Sequence, residues 1–411
     1  MSDWSDLPSD LLLQIAQKIN SFEDLFAFSL VSRAWNEVAS EENSKRSLFG
    51  THSAEQAEFT LPPNSAMQGL QACFLFDTRS SNTAPWLILP EKNGTGSESR
   101  EFLSLYRGRV YRLLLPEAKG KQCLSSQGWL MIIEFHRVIS LVHPISHLKI
   151  SLPQFIRYPD GEDGKYFYID KISKFVLSSN PSRTSDFRVM AIYGDDKKLA
   201  CCRPGDEEWT KIDLGSSPCT DLINYKGQFC VLDEKFRVLA VDFKGPNSAA
   251  NVQLVSELEP KFRAIWELRR RLQLIHGAPA RWIQFYVVES EGAIMIVRRM
   301  KQVRRVVGES DSRYQSCKFE ILKQDFDEKR WRVVKNLGNK ALFLGEHSSS
   351  FFITAHCGSG CKPNCIYYAE DLSAEIEDVG VYNLTYGCTE PLFKDAYVNH
   401  GSPALWVQPG F

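Results

Sequence analysis

The chain has 411 residues with 49 basic and 50 acidic side chains, so its net charge of −1 gives no electrostatic case for nucleic acid or a membrane surface as partner. The length allows two or three domains, or one small module beside one large fold, and 43% hydrophobic residues can fill a sizeable core. No run of about 18 apolar residues occurs, which argues against a spanning helix.

The first residues, Ser2, Asp3, Ser5 and Asp6, are polar and acidic, unlike the basic start of a secretory leader. Cysteines are scattered from Cys73 to Cys388 and odd in number, which reads as reduced thiols in the cytosol or nucleus. From there Leu11, Leu12, Ile15, Ala16 and Ile19 recur at helical spacing and predict a first helix. Asp6 or Ser9 suits its cap, and Pro8 suits the first turn, where the missing N–H costs nothing. After Asn20-Ser21 a second apolar series runs through Leu25, Phe28 and Val31, and a third through Trp35 and Val38. Three short helices bury little, and a module this small needs a partner or another stabiliser. The sequence alone leaves two readings: a free docking module, or a helical hairpin packed on the main domain.

Leu7-Pro8, Asp24-Leu25, the run Ser29-Leu30-Val31-Ser32 and Trp35, in that order, resemble an F-box. That family docks on a Skp-type adaptor and, through it, on a cullin ubiquitin ligase. The resemblance implies that Leu7, Pro8, Leu11, Leu12, Ile15, Leu25, Leu30, Val31 and Trp35 form or brace the adaptor interface. Ser32 stands where many members of the family carry Cys. The module is assigned residues 1–45, with a linker over residues 46–69 centred on Pro62-Pro63-Asn64-Ser65.

Residues 70–411 change period. Short β-branched and aromatic runs alternate with Gly, Pro, Asn and Asp turns. Trp129-Leu130-Met131-Ile132-Ile133, Phe229-Cys230-Val231-Leu232 and Phe285-Tyr286-Val287-Val288 are examples. So many strands in one region fit a β-propeller, whose radial repetition removes most exposed edges. Weak repeats run over 128–153, 174–214, 220–258, 283–337 and 341–386. Residues 70–115 supply another, closed by Leu405-Trp406-Val407, for about six blades. Trp86, Trp129, Trp209, Trp282, Trp331 and Trp406 are expected as blade-packing anchors. The fold class is mainly β, with a small all-α N-terminal module. Gly128-Trp129-Leu130, Cys202-Arg203-Pro204-Gly205-Asp206-Glu207-Glu208-Trp209, Asn364-Cys365-Ile366-Tyr367-Tyr368 and Asp378-Val379-Gly380-Val381-Tyr382 resemble a large plant family. Its members carry an F-box followed by a kelch-like domain.

Three clusters have a chemical reading beside a structural one. His356, Cys357, Cys361 and Cys365 are the best metal candidate, but zinc pairs are usually Cys-x-x-Cys, and the glycines between them suit a hairpin loop. Arg269-Arg270-Arg271 and the run from Arg298 to Arg305 suit nuclear import or an acidic partner. A solvated helix face and a hairpin with charged edges are the preferred readings. Arg203-Pro204-Gly205-Asp206 reads as a tight turn before Trp209. No P-loop, nucleophile elbow or metalloprotease motif is present, so neither catalytic residue, metal nor cofactor is assigned. The expectation is a substrate-recognition subunit of a Skp–cullin–F-box ligase, cytosolic or nuclear, that holds an unknown target protein on the propeller. A scaffold that does not route targets to degradation, and a propeller enzyme or small-molecule binder, are the alternatives.

Overall fold

A computed structural model describes residues 7–18, 28, 34–35, 38, 85–90, 98–106, 108–134, 138–144, 147–154, 157–160, 165–168, 172–215, 217–243, 250–264, 281–305, 312–355, 359–369, 378–392 and 404–408. Runs such as Trp129–Ile133 are apolar at every position because both faces of each sheet are covered, so adjacent residues point into different cores. Leu130 and Ile132 face one neighbouring sheet, while Trp129 and Met131 face the other.

The strands form a six-bladed propeller. From the channel outward, blade 1 is Leu405–Val407, Trp86–Ile88, Ser99–Ser104 and Arg109–Leu114. Blade 2 is Gln122–Ser126, Trp129–Ile133, Ile139–Val142 and Lys149–Leu152. Blade 3 is Ile172–Leu177, Val189–Tyr193, Lys198–Cys202 and Thr210–Ile212. Blade 4 is Cys219–Tyr225, Gln228–Asp233, Arg237–Phe243 and Ala250–Glu257. Blade 5 is Arg281–Ser290, Ala293–Arg305, Ser312–Asp325 and Arg330–Val334. Blade 6 has five strands: Phe351–Thr354, Lys340–Gly345, Cys365–Ala369, Gly380–Asn383 and Cys388–Pro391. An additional hairpin, Arg157–Asp160 with Lys165–Tyr168, lies between the second and third blades in sequence.

The ring closes as expected. Leu405–Val407 pairs antiparallel with Trp86–Ile88, in the register Trp86 to Val407. Apolar side chains accordingly make six slabs, one between each pair of neighbouring blades. The tryptophans act across these slabs. Trp209 of blade 3 donates its indole N–H to the Pro153 carbonyl after blade 2, at 2.9 Å. Trp331 of blade 5 donates to the Glu257 carbonyl of blade 4 at 3.0 Å. Trp129 of blade 2 donates to the Asn180 and Ser182 side chains at the end of blade 3's inner strand, both at 3.2 Å. Each indole thus buries a large apolar area and ties its one donor to the next blade.

Blade 6 departs from a simple meander. Lys340–Gly345 runs parallel to Cys365–Ala369, and the chain returns between them as Phe351–Thr354 on the channel side. A parallel pair needs a connection that brings the chain back to its starting end, and this inner strand is that connection. Gly345 and Gly360 serve it by close approach. A Cβ at Gly345 would press on the Ser348 side chain, and one at Gly360 would collide with the backbone of Leu105 and Tyr106 in blade 1.

The Arg298–Arg305 run is corrected by its place in the fold. It belongs to the second strand of blade 5, paired on both sides over residues 298–302 and on one side over 303–305, so its first half is no charged edge. Arg298, Arg299 and Lys301 are fully buried. The turn at Arg203 is as expected: the Asp206 carboxylate accepts the Arg203 N–H at 2.6 Å, with Gly205 at φ +87. The run Arg269–Arg271, the linker 46–69 and most of the second and third helices lie outside the described residues.

Two measurements check these contacts. Trp209→Ala is expected to lower unfolding free energy by about 3–5 kcal/mol in urea, and Trp209→Phe, which keeps most of the ring, by clearly less. His143 lies edge-on to Trp129 at 5.3 Å, and burial, with His147 beside it, pushes its imidazole down to about 3. The unfolded chain takes up this proton near 6.5, so stability is present above that pH and is lost as pH falls toward 3. In His143→Phe this part of the acid sensitivity should disappear from thermal melts run across that window.

Candidate functional site: the N-terminal helix and the propeller channel

The N-terminal helix spans Ser9–Lys18. Its first bonds run from the Leu11 and Leu12 N–H groups to the Pro8 carbonyl, so Pro8 stands at the helix boundary and not inside the first turn. Leu12 and Ala16 turn inward and pack with Phe28 and Val38; Leu7, Leu13, Ala34 and Trp35 close over them. Phe28 and Trp35 meet with ring centroids 4.5 Å apart. The opposite stripe, Pro8, Leu11 and Ile15, is exposed, with Leu11 at 46% and Ile15 at 39%. The expected adaptor-facing set therefore divides. Pro8, Leu11 and Ile15 present apolar surface, Leu7 and Trp35 are half-buried, and Leu12 is wholly internal. Leu12 holds the module together from inside and offers no surface. Leu25, Leu30 and Val31 lie outside the described residues.

In the propeller, buried polar groups are paired across blades, some on the inner strands and some farther out. The Lys174 ammonium of blade 3 lies 2.6 Å from the Asp221 carboxylate of blade 4, both almost fully buried. The same carboxylate accepts the Leu222 N–H at 2.8 Å and the Val287 N–H of blade 5 at 2.9 Å. Lys174 also sits 5.9 Å from the centre of the Tyr286 ring. The Tyr286 hydroxyl accepts from Arg299 at 3.0 Å. Arg299 in turn donates to Ser316 Oγ at 2.6 Å and to the Asp378 carboxylate of blade 6 at 3.0 Å, and lies over the Tyr368 ring. Asp378 also accepts the Ser316 N–H and hydroxyl. A belt of buried polar side chains thus joins blades 3 to 6.

Blades 1 to 3 are joined to blade 6 by a strap, residues 346–350, between its first two strands. The Ser125 N–H donates to the His347 carbonyl and the Ser349 N–H to the Ser125 carbonyl, both at 2.9 Å. Ser348 Oγ accepts the Trp406 N–H at 3.0 Å, Ser125 Oγ donates to the Trp406 carbonyl at 2.6 Å, and His347 Nδ1 donates to the Ser173 carbonyl at 3.0 Å. The strap separates two wells. One, of about 270 Å³, opens near the starts of the inner strands and includes Lys174, Asp221, Lys197, Glu234 and Glu346. The other, of about 330 Å³, opens at their far ends, with Gln127, Asn224, Glu289, Glu291, Lys340 and Ser350 on its walls. Lys340 lies 2.7 Å from Glu291, and this contact holds the Glu291 carboxyl below its usual range.

Sequence reasoning missed these wells. Their walls come from single residues at the ends of inner strands, and a run such as His347-Ser348-Ser349-Ser350 reads only as a polar loop. The cysteine candidate has a packing role where it is described. Cys361 and Cys365 lie in the core between blades 6 and 1, and burial pushes the Cys361 thiol up to about 12. His356 and Cys357 lie outside the described residues, and among those described no three His, Cys, Asp or Glu side chains form a metal-binding group.

Residues 102–383 match the KIB1-4 beta-propeller family model, and residues 4–49 match an F-box-like model. The F-box protein At2g26160 of Arabidopsis thaliana is 21% identical, covering 91% of this chain and 97% of its own length. The F-box protein SKIP23, also of Arabidopsis thaliana, is 23% identical over 96% of this chain and 92% of its own. The F-box protein At2g17036 of the same plant is 25% identical over 96% and 91%.

The buried belt gives a direct test. Asp378→Ala leaves the Arg299 guanidinium without its counter-charge and is expected to cost about 3–5 kcal/mol in urea unfolding. Arg299→Met combined with Asp378→Leu should recover most of that loss.

Proposed function

Because this chain belongs to the KIB1-4 beta-propeller family and opens with an F-box-like module, we propose that it is the substrate-recognition subunit of a Skp–cullin–F-box ubiquitin ligase. The N-terminal helix docks on a Skp-type adaptor, which carries the cullin, and the propeller holds the target protein. The chemistry belongs to a ubiquitin-loaded partner enzyme. This chain contributes effective concentration, by keeping a target lysine within reach of that enzyme.

The observation that carries the reading is the stripe Pro8, Leu11 and Ile15. It is exposed apolar surface at helical spacing, on a module whose core among the described residues is Leu12, Ala16, Phe28 and Val38. Such a patch is stabilised when a partner covers it. Leu7 and Trp35 border the interface, and Leu12 braces it from inside. The belt and the strap support the other half of the reading. They cross-link the blades into a rigid frame, on which strand-end loops grip a target in fixed relation to one another. The described cysteines are all free thiols, which supports action in the cytosol or nucleus.

The decisive experiment is recovery of a Skp-type adaptor with the full chain. Leu11→Asp with Ile15→Asp, and separately Leu7→Ala with Pro8→Ala, are expected to lower recovery by roughly tenfold or more, with the propeller's unfolding transition unchanged. Equal recovery by wild type and both double variants would refute the docking face.

A further inference from the structure

The well of about 330 Å³ at the far ends of the inner strands has three features that the fold leaves unused. The first is charge. Glu289, Glu291 and Lys340 stand on its wall. Glu291 is neutralised by Lys340, which also donates to Ser290 Oγ at 2.8 Å. Glu289 accepts the Gly292 N–H through one oxygen at 2.7 Å and makes no ion pair among the described residues. The nearby Lys226 ammonium lies instead over the Tyr225 ring, at 5.1 Å. Glu289 therefore faces the well with no direct ion-pair partner among the described residues, although Lys226 lies beside the same Gly292 turn.

The second feature is a sheet edge. Phe351–Thr354 is the innermost strand of blade 6 and pairs only with Lys340–Gly345. It is half-buried to exposed along the well, so the main-chain groups on its channel side have no ladder partner among the described residues. An open edge of this kind accepts an added strand. The third feature is Ser350 Oγ, which is buried beside that edge and has no hydrogen-bond partner among the described residues. Ser349 and Ser350 of the strap form part of the well's wall.

Resting on the proposed role of the propeller as the target-holding part, we infer that this well takes an extended segment of the target protein carrying a basic side chain. An Arg or Lys on that segment pairs with Glu289, the Phe352 ring on the blade 5 side lies beside its aliphatic stem, and the segment's backbone adds to the edge of Phe351–Thr354. Charge selects the residue, and the strand edge selects an extended backbone. A helical or acidic segment satisfies neither.

The test uses the full chain and fluorescent peptide pools of about nine residues, capped at both ends, with the centre fixed as Arg, Gln or Glu in a mixed small-and-aromatic background. The Arg pool is expected to bind roughly tenfold tighter than the Glu pool at low salt. Glu289→Gln, which keeps an acceptor for the Gly292 N–H, should bring the Arg pool down to the Gln pool. Glu289→Lys should invert the order. Backbone N-methylation at alternate positions of the Arg pool should abolish its advantage. Equal binding of Arg and Glu pools, no binding of any pool, or an Arg preference that survives Glu289→Lys overturns the inference. Proximity labelling with the proteasome inhibited separates it from the reading beneath it. If Glu289→Lys labels the same targets as wild type, the well is not the grip, although the receptor role stands. If wild type labels only adaptor and cullin, the receptor role itself fails.

Discussion

Everything in the larger domain depends on one pairing: Leu405–Val407 against Trp86–Ile88. Each blade is a sheet with two apolar faces, and a fan of six such sheets left open would expose a face at each end. Closing the ring with a strand from the far end of the sequence covers both at once. The slab between blades 6 and 1 is the result. Leu87, Leu89 and Leu103 meet Phe343, Tyr367 and Trp406 there, and Trp406 itself arrives on the closing strand. Because that strand comes from the C-terminal side and its partners from the N-terminal side, the ring cannot be completed until most of the chain is in place. Closure also removes the exposed sheet ends that would otherwise pair with other molecules.

Radial closure creates a second problem at the axis, where inner strands approach one another with their polar groups. The protein answers it with cross-blade pairing. Lys174 and Asp221 join blades 3 and 4, and the same carboxylate caps the Val287 N–H of blade 5. Away from the axis, Arg299 on the second strand of blade 5 and Asp378 beside the fourth strand of blade 6 join those two blades in the same way. The strap from blade 6 then crosses to Ser125, Ser173 and Trp406. Buried charges of this sort add little net stability over apolar replacements, but they are costly when broken. Their effect here is on register, because each pair is satisfied in only one relative placement of two blades. The strap contributes Glu346 to one well along the axis and Ser349 and Ser350 to the other.

The two parts of the molecule meet their stability needs in opposite ways. The propeller is closed on itself and buries its strands on both faces. The N-terminal helix buries Leu12 and Ala16 and leaves Leu11 and Ile15 in solvent. Membership of a family that couples an F-box to a propeller agrees with that contrast. In the proposed role, rigidity at the propeller and incompleteness at the helix are both required, since a receptor must hold its target firmly and be held in turn.

Much of the fold was legible because it rests on period. The helical spacing of Leu11, Leu12, Ile15 and Ala16, the strand runs between turn signals, and the tryptophans at blade spacing are local patterns that survive in one dimension. Even the closing strand could be read, since Leu405-Trp406-Val407 is an apolar run with no blade of its own. The division of the helix into Leu12 inside and Leu11 and Ile15 outside was not legible, because period marks an apolar stripe but not which part of it a neighbour covers. The basic run from Arg298 to Arg305 misled for a related reason: a charged strand reads as an edge, and only the fold shows Ser316, Tyr286, Glu320 and Asp378 waiting for those charges. By itself, then, the sequence determined the F-box-like character of the N-terminal module and a strand-rich ring of about six blades, both of which follow from short-range spacing and recognisable motifs. The wells, the strap and the buried ion pairs were decided only by tertiary structure, because each joins residues far apart in the chain, and their chemistry exists only once the ring has brought them together.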